Sequence, residues 1–162
     1  MKKILLSLVV LFLCLATIAL YIMDKQYFIC PIQYKSEIIV RSDGRGDGFF
    51  ASSRNGRRIH EGVDLYAPIG MPVLAARSGI VTAAARNRGM GNYIVIRHDK
   101  GLKTIYGHLT QIYVKKNVFV RQGQVIGSVG KTGNANSKQI LPHLHFELRK
   151  DGIPQDPLKY FL

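Results

Sequence analysis

Cysteine is scarce in this chain, with only Cys14 and Cys30 among 162 residues. Two thiols cannot build a disulfide framework or a four-thiolate metal site, so any metal here has to be held mainly by histidine and carboxylate. Acidic residues are also few. Ten Asp and Glu stand against 23 Lys and Arg, a formal net charge of +13. That excess favours polyanionic surroundings: nucleic acid, anionic lipid headgroups or acidic cell-envelope polymer. Tryptophan is absent, which by itself decides nothing. A charged fraction of 20% and a hydrophobic fraction of 47% are too apolar for a disordered chain. The length suits one domain of ordinary size, with no long linker or repeat.

What the N-terminus does contain is a long apolar run. Residues 4–23, twenty in all, carry no charge, and only Ser7 and Thr17 are polar. About 20 apolar residues is the length a helix needs to cross a bilayer, and a core helix would show an apolar stripe instead of being apolar all round. Lys2 and Lys3 ahead of it predict a cytoplasmic N-terminus and an exported remainder. The run is longer than the core of a signal peptide, and Thr17-Ile18-Ala19 is a poor cleavage site, so 1–23 reads as an uncleaved transmembrane anchor. Leu11-Phe12-Leu13-Cys14 lacks the small residues that precede a lipoprotein cysteine. Cys14 then lies in the membrane and Cys30 outside it, too far apart to pair. The expected location is the cell membrane, single-pass, with the domain on the periplasmic or extracellular side. An exported domain seldom meets nucleic acid, so basic residues such as Arg57, Arg86, Arg88 and Lys115 are expected to serve anionic envelope polymer or solubility.

Residues 24–43 read as a short stalk with a first strand over 36–41, and residues 44–162 as the domain itself. Gly44-Arg45-Gly46-Asp47-Gly48 is a turn cluster whose Arg-Gly-Asp tripeptide is explained by a mobile glycine loop and not by adhesion. Beyond Pro72, short β-branched or aromatic stretches are bounded by Gly, Asn, Asp or Pro. They are Gly79-Ile-Val-Thr-Ala, Asn92-Tyr-Ile-Val-Ile-Arg-His, Leu102-Lys-Thr-Ile-Tyr-Gly-His, Gln124-Val-Ile-Gly-Ser-Val and His143-Leu-His-Phe-Glu-Leu. With no helical stripe after the first run, the pattern predicts an all-β domain of antiparallel strands. Gly127-Ser-Val-Gly-Lys-Thr has the ending of a phosphate-binding loop. Val125 stands where that motif needs glycine, and no helix pattern follows, which excludes nucleotide binding.

The chain has five histidines, and four of them fall in suggestive places. In His143-Leu144-His145-Phe146-Glu147 the two-residue period puts His143, His145 and Glu147 on one strand face and the apolar residues on the other. The two imidazoles are then about 7 Å apart at Cα, close enough to converge on one ion. In His60-Glu61-Gly62-Val63-Asp64 the outer residues would lie about 13 Å apart on a straight strand. Gly62 permits a turn that folds them together. His60, Asp64 and one histidine of the later pair would supply three ligands and leave a position for water, as catalytic zinc requires. His108 ends a strand in Tyr106-Gly107-His108-Leu109. His98 reads as a surface residue at a strand end.

The segment from Arg58 to Phe161 resembles the lysostaphin-like zinc metallopeptidases, the M23 or LytM-type peptidoglycan endopeptidases. The matching words are Arg58-Ile-His-Glu-Gly-Val-Asp-Leu, Gly70-Met-Pro-Val-Leu-Ala, Ser78-Gly-Ile-Val, Gly91-Asn-Tyr-Ile-Val-Ile, Thr104-Ile-Tyr-Gly-His-Leu, Gly123-Gln-Val-Ile-Gly, Gly130-Lys-Thr-Gly and Pro142-His-Leu-His-Phe-Glu-Leu. The resemblance implies an antiparallel β fold of the lysostaphin-like (duplicated hybrid motif) type. It also implies one zinc ion per chain on His60, Asp64 and His145, with His108 and His143 as catalytic histidines beside it. The implied reaction is hydrolysis of peptide stems or cross-bridges of bacterial peptidoglycan during cell-wall remodelling. Zinc in such a site lowers the pKa of its water towards about 7, and the two histidines share the proton transfers and oxyanion stabilisation. Many relatives have lost ligands and serve as wall-binding modules that activate another hydrolase. All five positions are kept here, which favours an active enzyme. Glu147 reads equally as a partner for His145 or as a surface salt bridge. Lys116-Asn117-Val118 stands where relatives place glycine in a turn, and Asn tolerates the same left-handed backbone. The glycine-rich stretches 44–56 and 130–136 are expected as flexible rims of a substrate groove.

Overall fold

The computed structural model describes residues 2–22, 27–54, 56 and 58–161, with the side chains of the first helix described through Ile18. Arg57 and residues 23–26 lie outside the described residues. The helix expected at the N-terminus is present as α1 (Lys2–Ile22). Its apolar side chains stay exposed, Phe12 at 69%, because a helix apolar all round has no single face to press on the domain. Among the described residues no helix is long and apolar enough to cross a membrane.

Short strands follow, as the glycine-bounded pattern predicts. They are β1 (Ser42–Asp43), β2 (Gly46–Asp47), β3 (Ser53–Arg54), β4 (Arg58–Ile59), β5 (Val63–Tyr66), β6 (Pro72–Leu74) and β7 (Gly79–Asn87). After them come β8 (Gly91–Arg97), β9 (Leu102–Leu109), β10 (Gln111–Ile112), β11 (Phe119–Val120), β12 (Val125–Ser128), β13 (His143–Lys150) and β14 (Ile153–Gln155). A seven-stranded sheet runs β11-β7-β8-β9-β13-β14, with β5 also on β13, and a second sheet runs β10-β12-β6. All their pairings are antiparallel. The expectation of an all-β antiparallel domain holds. The core includes Val63, Leu65, Ile94, Tyr106, Leu144, Phe146 and Leu148, all fully buried. Leu144, Phe146 and Leu148 are the apolar face predicted for β13.

β13 positions the site. Its first half lies between two strands, pairing His145 with Asp64 of β5 on one side and with Gly107 of β9 on the other. Cross-strand partners share a face, so the Asp64 and His145 side chains stand side by side and Gly107 leaves room beside them. A Cβ on Gly107 would lie 3.4 Å from the Cβ of His145 and 2.9 Å from the Met90 sulfur.

Four expectations are corrected. The strand over 36–41 does not form. Residues 39–41 instead lie along β5 through the Tyr66 N–H to the Ile39 carbonyl (2.9 Å) and the Arg41 N–H to the Asp64 carbonyl (2.8 Å). The glycine cluster 44–48 is part of a fastened hairpin, not a free loop: Ser42 pairs with Asp47, and the Arg45 Nε donates to Gln139 Oε1 at 2.8 Å. His98 is buried, not superficial. Its ring nitrogens are engaged by the Ser78 carbonyl and the Thr104 hydroxyl, both at 2.8 Å. Gly62, finally, does not serve through a left-handed turn, since it is not among the glycines of positive φ. Its role is close approach. A Cβ there would run into the Phe146 carbonyl oxygen and lie 2.9 Å from Glu147 Cγ. Asn117, by contrast, adopts the left-handed conformation expected of it, with φ of 69°. Cys14 and Cys30 are both free.

Gly62→Ala is therefore expected to lower stability by roughly 1–3 kcal/mol through overpacking. The check is a fall in the urea midpoint with an unchanged slope.

Candidate metal centre

His60 Nε2, Asp64 Oδ1 and His145 Nδ1 converge. His60 to Asp64 is 3.1 Å, His145 to Asp64 is 2.8 Å and His60 to His145 is 3.1 Å. Among the described residues these three form the group able to hold a metal ion. Zinc bonds of about 2.0–2.1 Å place tetrahedral ligand atoms about 3.3 Å apart, so two imidazole nitrogens and one carboxylate oxygen at these spacings fit that ion.

Each of the three is aimed by what its remaining atom does. His60 Nδ1 donates to the Phe49 carbonyl at 2.8 Å, which leaves Nε2 as the lone pair. His145 Nε2 faces Glu147 Oε1 at 3.1 Å, which leaves Nδ1 inward. Asp64 Oδ2 accepts from Arg41 Nη2 at 3.0 Å and Arg54 Nη2 at 2.7 Å, which leaves Oδ1. Glu147 is thus the partner of His145, and its ion pair with Arg149, whose Nε donates to the other oxygen at 2.7 Å, is buried at the Glu147 end and not the alternative surface bridge.

The other two histidines stand beside this trio. The His143 and His108 ring centroids are 5.0 Å apart, and His108 lies 5.8 Å from His145. His143 Nε2 is 3.9 Å from Asp64 Oδ1. Both rings are anchored through Nδ1, His143 on the Leu141 carbonyl (2.7 Å) and His108 on the Thr132 carbonyl (2.9 Å). On a regular strand His108, one residue past Gly107, would point to the opposite face from His145. Two features re-aim it. The pairing of β8 with β9 shifts register between Asn92 and Ile94, opposite this segment, and His108 itself has φ of 62°. A non-glycine residue in that conformation is strained and needs support, which the His108 N–H finds at 2.7 Å on the Met90 carbonyl.

Electrostatics divide the group. Burial opposes the charge of Asp64, yet its bonds to His145 and His60 hold its carboxyl well below the usual range. Burial also opposes charge on His145, but Asp64 and Glu147 outweigh it and lift that imidazole to about 9. His108 has no such partner. Burial, with His143 and His145 nearby, pushes it down to about 3. Burial lowers His143 as well, against the pull of Asp64.

Residues 58–157 match Peptidase family M23, and the chain belongs to that family. A DD-carboxypeptidase/endopeptidase Mpg of Neisseria meningitidis is 42% identical over 105 residues, which is 65% of this chain and 23% of that protein. The crystal structure of a zinc-containing peptidase from Vibrio cholerae matches with a TM-score of 0.70 at 34% identity, covering 85% of this chain and 41% of that one. The SpoIIQ–SpoIIIAH pore-forming complex contains a chain that matches with a TM-score of 0.66 at 25% identity, over 83% of this chain and 90% of that one. The chain thus spans about a quarter of the length of the curated relative it matches.

The structure brings together all five residues singled out in the sequence. It adds three contributors that the sequence did not mark: Arg41, Arg54 and the Phe49 carbonyl. Arg41 is 3% exposed and also bridges Asp43 at 2.6 Å. Only its position ahead of a carboxylate-bearing turn hinted at pairing.

Arg41→Ala would leave Asp43 without its guanidinium and Asp64 with Arg54 alone, and a loss of about 1.5–3 kcal/mol, that of hydrogen bonds to charged groups, is expected on chemical denaturation. The pH dependence of the metal-free protein has a worked sign. His108 binds a proton in the unfolded chain below about 6.5 but in the folded one only near 3, so its contribution is lost as pH falls through that window. His145 does the reverse: its contribution is full below 6.5 and lost as pH rises through about 9. Urea midpoints of the metal-free protein are expected to peak near pH 6.5 and fall on both sides.

Proposed function

We propose that this chain is a zinc-dependent endopeptidase that hydrolyses peptide cross-links of bacterial peptidoglycan, acting in cell-wall remodelling. The observation that carries the reading is the convergence of His60 Nε2, Asp64 Oδ1 and His145 Nδ1 within 2.8–3.1 Å of one another, each with its other polar atom already engaged. These three would hold one zinc ion. When bound, zinc supplies a Lewis acid that acidifies water and polarises a peptide carbonyl. His143 and His108, with Nδ1–H spent on backbone carbonyls, present Nε2 as a proton acceptor. His143 stands nearer the ligands and can take the proton of the attacking water. His108, held neutral by its burial, can accept the N–H of the scissile amide and so orient it, while the proton taken by His143 passes to the amine as it leaves. Arg41 and Arg54 keep Asp64 charged and turned towards the imidazoles.

We place the domain on the outer side of the cytoplasmic membrane, where its net positive charge meets anionic wall, with residues 4–23 as tether and Lys2 and Lys3 inside. The second reading is a catalytically silent module that binds the wall and activates another hydrolase; the matching chain of the SpoIIQ–SpoIIIAH complex is named for pore formation with a partner and not for hydrolysis.

One experiment separates the two. The full chain in detergent is loaded with zinc and incubated with purified peptidoglycan, with and without a chelator, and the released fragments are identified by mass spectrometry. Chelator-sensitive peptide cleavage is expected. His145→Ala should lose zinc and hydrolysis together, while His143→Ala and His108→Ala should keep zinc and fall about 10²–10⁴-fold in rate. Wall binding by the zinc-loaded wild type with no bond cut would give the silent module instead.

A further inference from the structure

A second polar hollow adjoins the histidines. Between the β7–β8 turn and residues 131–136 lies a cleft of about 610 Å³, lined by Arg86, Asn87, Arg88, Lys131, Thr132 and Asn136. Three cations and no acidic side chain face it. Elsewhere in the domain Arg41, Arg54, Arg77 and Arg149 are neutralised by carboxylates. Among the described residues Arg86, Arg88 and Lys131 have no such partner, so this is a concentration of positive charge left for an external anion.

The walls are fixed before any ligand arrives. The Asn134 N–H donates to the Gly89 carbonyl (2.9 Å), and the Asn92 N–H to the Thr132 hydroxyl (2.9 Å). Gly91 and Gly133, at φ of 65° and 68°, pack backbone against backbone, where a Cβ on either would collide with the opposite loop. The same two loops hold His108, through the Met90 carbonyl at its N–H and the Thr132 carbonyl at its Nδ1. Thr132 thus belongs both to the cleft wall and to the anchoring of His108, which sets the cleft beside that histidine.

Resting on the peptidase reading above, we infer that this cleft is an anion subsite that takes a free carboxylate of the peptide being cut, close to the scissile bond. Arginine guanidiniums and a lysine ammonium are the donors that suit a carboxylate, and the side-chain amides of Asn87 and Asn136 add neutral donors beside them. Three cations gathered on two fixed loops beside a histidine favour one group on a short substrate over an extended anionic polymer, which is better held by a row of cations along a surface.

The test uses two synthetic stem peptides, identical except that one carries a carboxylate and the other a carboxamide at the position flanking the cleaved bond. With the zinc-loaded full chain, kcat/KM for the acid is expected to exceed that for the amide by about tenfold, the effect of one charge-assisted bond. The double variant Arg88→Gln, Lys131→Gln should level the two peptides, and its urea midpoint checks that it folds. Equal turnover of both peptides by the wild type, or a preference that survives the double substitution, overturns the subsite while leaving the peptidase reading intact. Calorimetric titration of the same peptides into His143→Ala reads the subsite without chemistry. Tighter binding of the acid there supports the subsite even if no bond is ever cut, in which case the peptidase reading alone fails. A glycerol-phosphate oligomer that displaces the acid peptide at lower concentration would overturn the peptide assignment in favour of the polymer.

Discussion

A carboxylate taken out of water is tolerated only where partners replace its hydration, and Asp64, buried on β5 beside β13, sits under that constraint. It is answered asymmetrically. Two guanidiniums take Oδ2, so Oδ1 has nothing to face but imidazoles. The charge that makes Asp64 a ligand, the orientation that makes it point inward and the raised basicity of His145 all follow from this division. The carboxylate also ties the 39–54 segment to the sheet, because the arginines that satisfy it come from that segment.

The sheet supplies the convergence that no single strand can. His143 and His145 lie on one face of β13, Asp64 stands opposite His145 on β5, and Gly107 makes room on β9. A straight ladder would still have left His108 on the wrong side. The register shift and the left-handed backbone at that residue bring it round. The strain there is supported by the Met90 and Thr132 carbonyls, so a contorted position of the fold is also a well-anchored one. The cleft lined by Arg86, Arg88 and Lys131 is a by-product of the same anchoring loops.

Much of this was legible in the sequence, and what was legible had a local cause. The alternation in His143-Leu144-His145-Phe146-Glu147 is a two-residue period that any strand must show, and the structure reproduces both of its faces. Asn117 could be read because a left-handed turn restricts the residue types that fit. The misread positions depend on distant partners. Gly62 is small because Phe146 and Glu147 crowd it from another strand. His98 is buried because Thr104 and the Ser78 carbonyl receive it. Arg41 and Arg54 looked like two basic residues among many, since an ion pair across 10 or 23 residues of sequence leaves no mark on either neighbourhood. The segment 36–41 had strand-forming residues but only part of an edge to pair with.

The block shared with the family begins at residue 58, yet Arg41, Arg54 and the Phe49 carbonyl lie before it. The ligands thus lie inside the matched block while their supports come from the sequence ahead of it. Two members of the family with the same five histidine and aspartate positions can differ in how much electron density the aspartate gives its ion, how firmly each imidazole is held and how readily the ion is lost. Variation in the leading segment becomes a dial on metal affinity and Lewis acidity that leaves the recognisable motif untouched. An intact motif therefore specifies a socket, and the strength of its grip is set from outside.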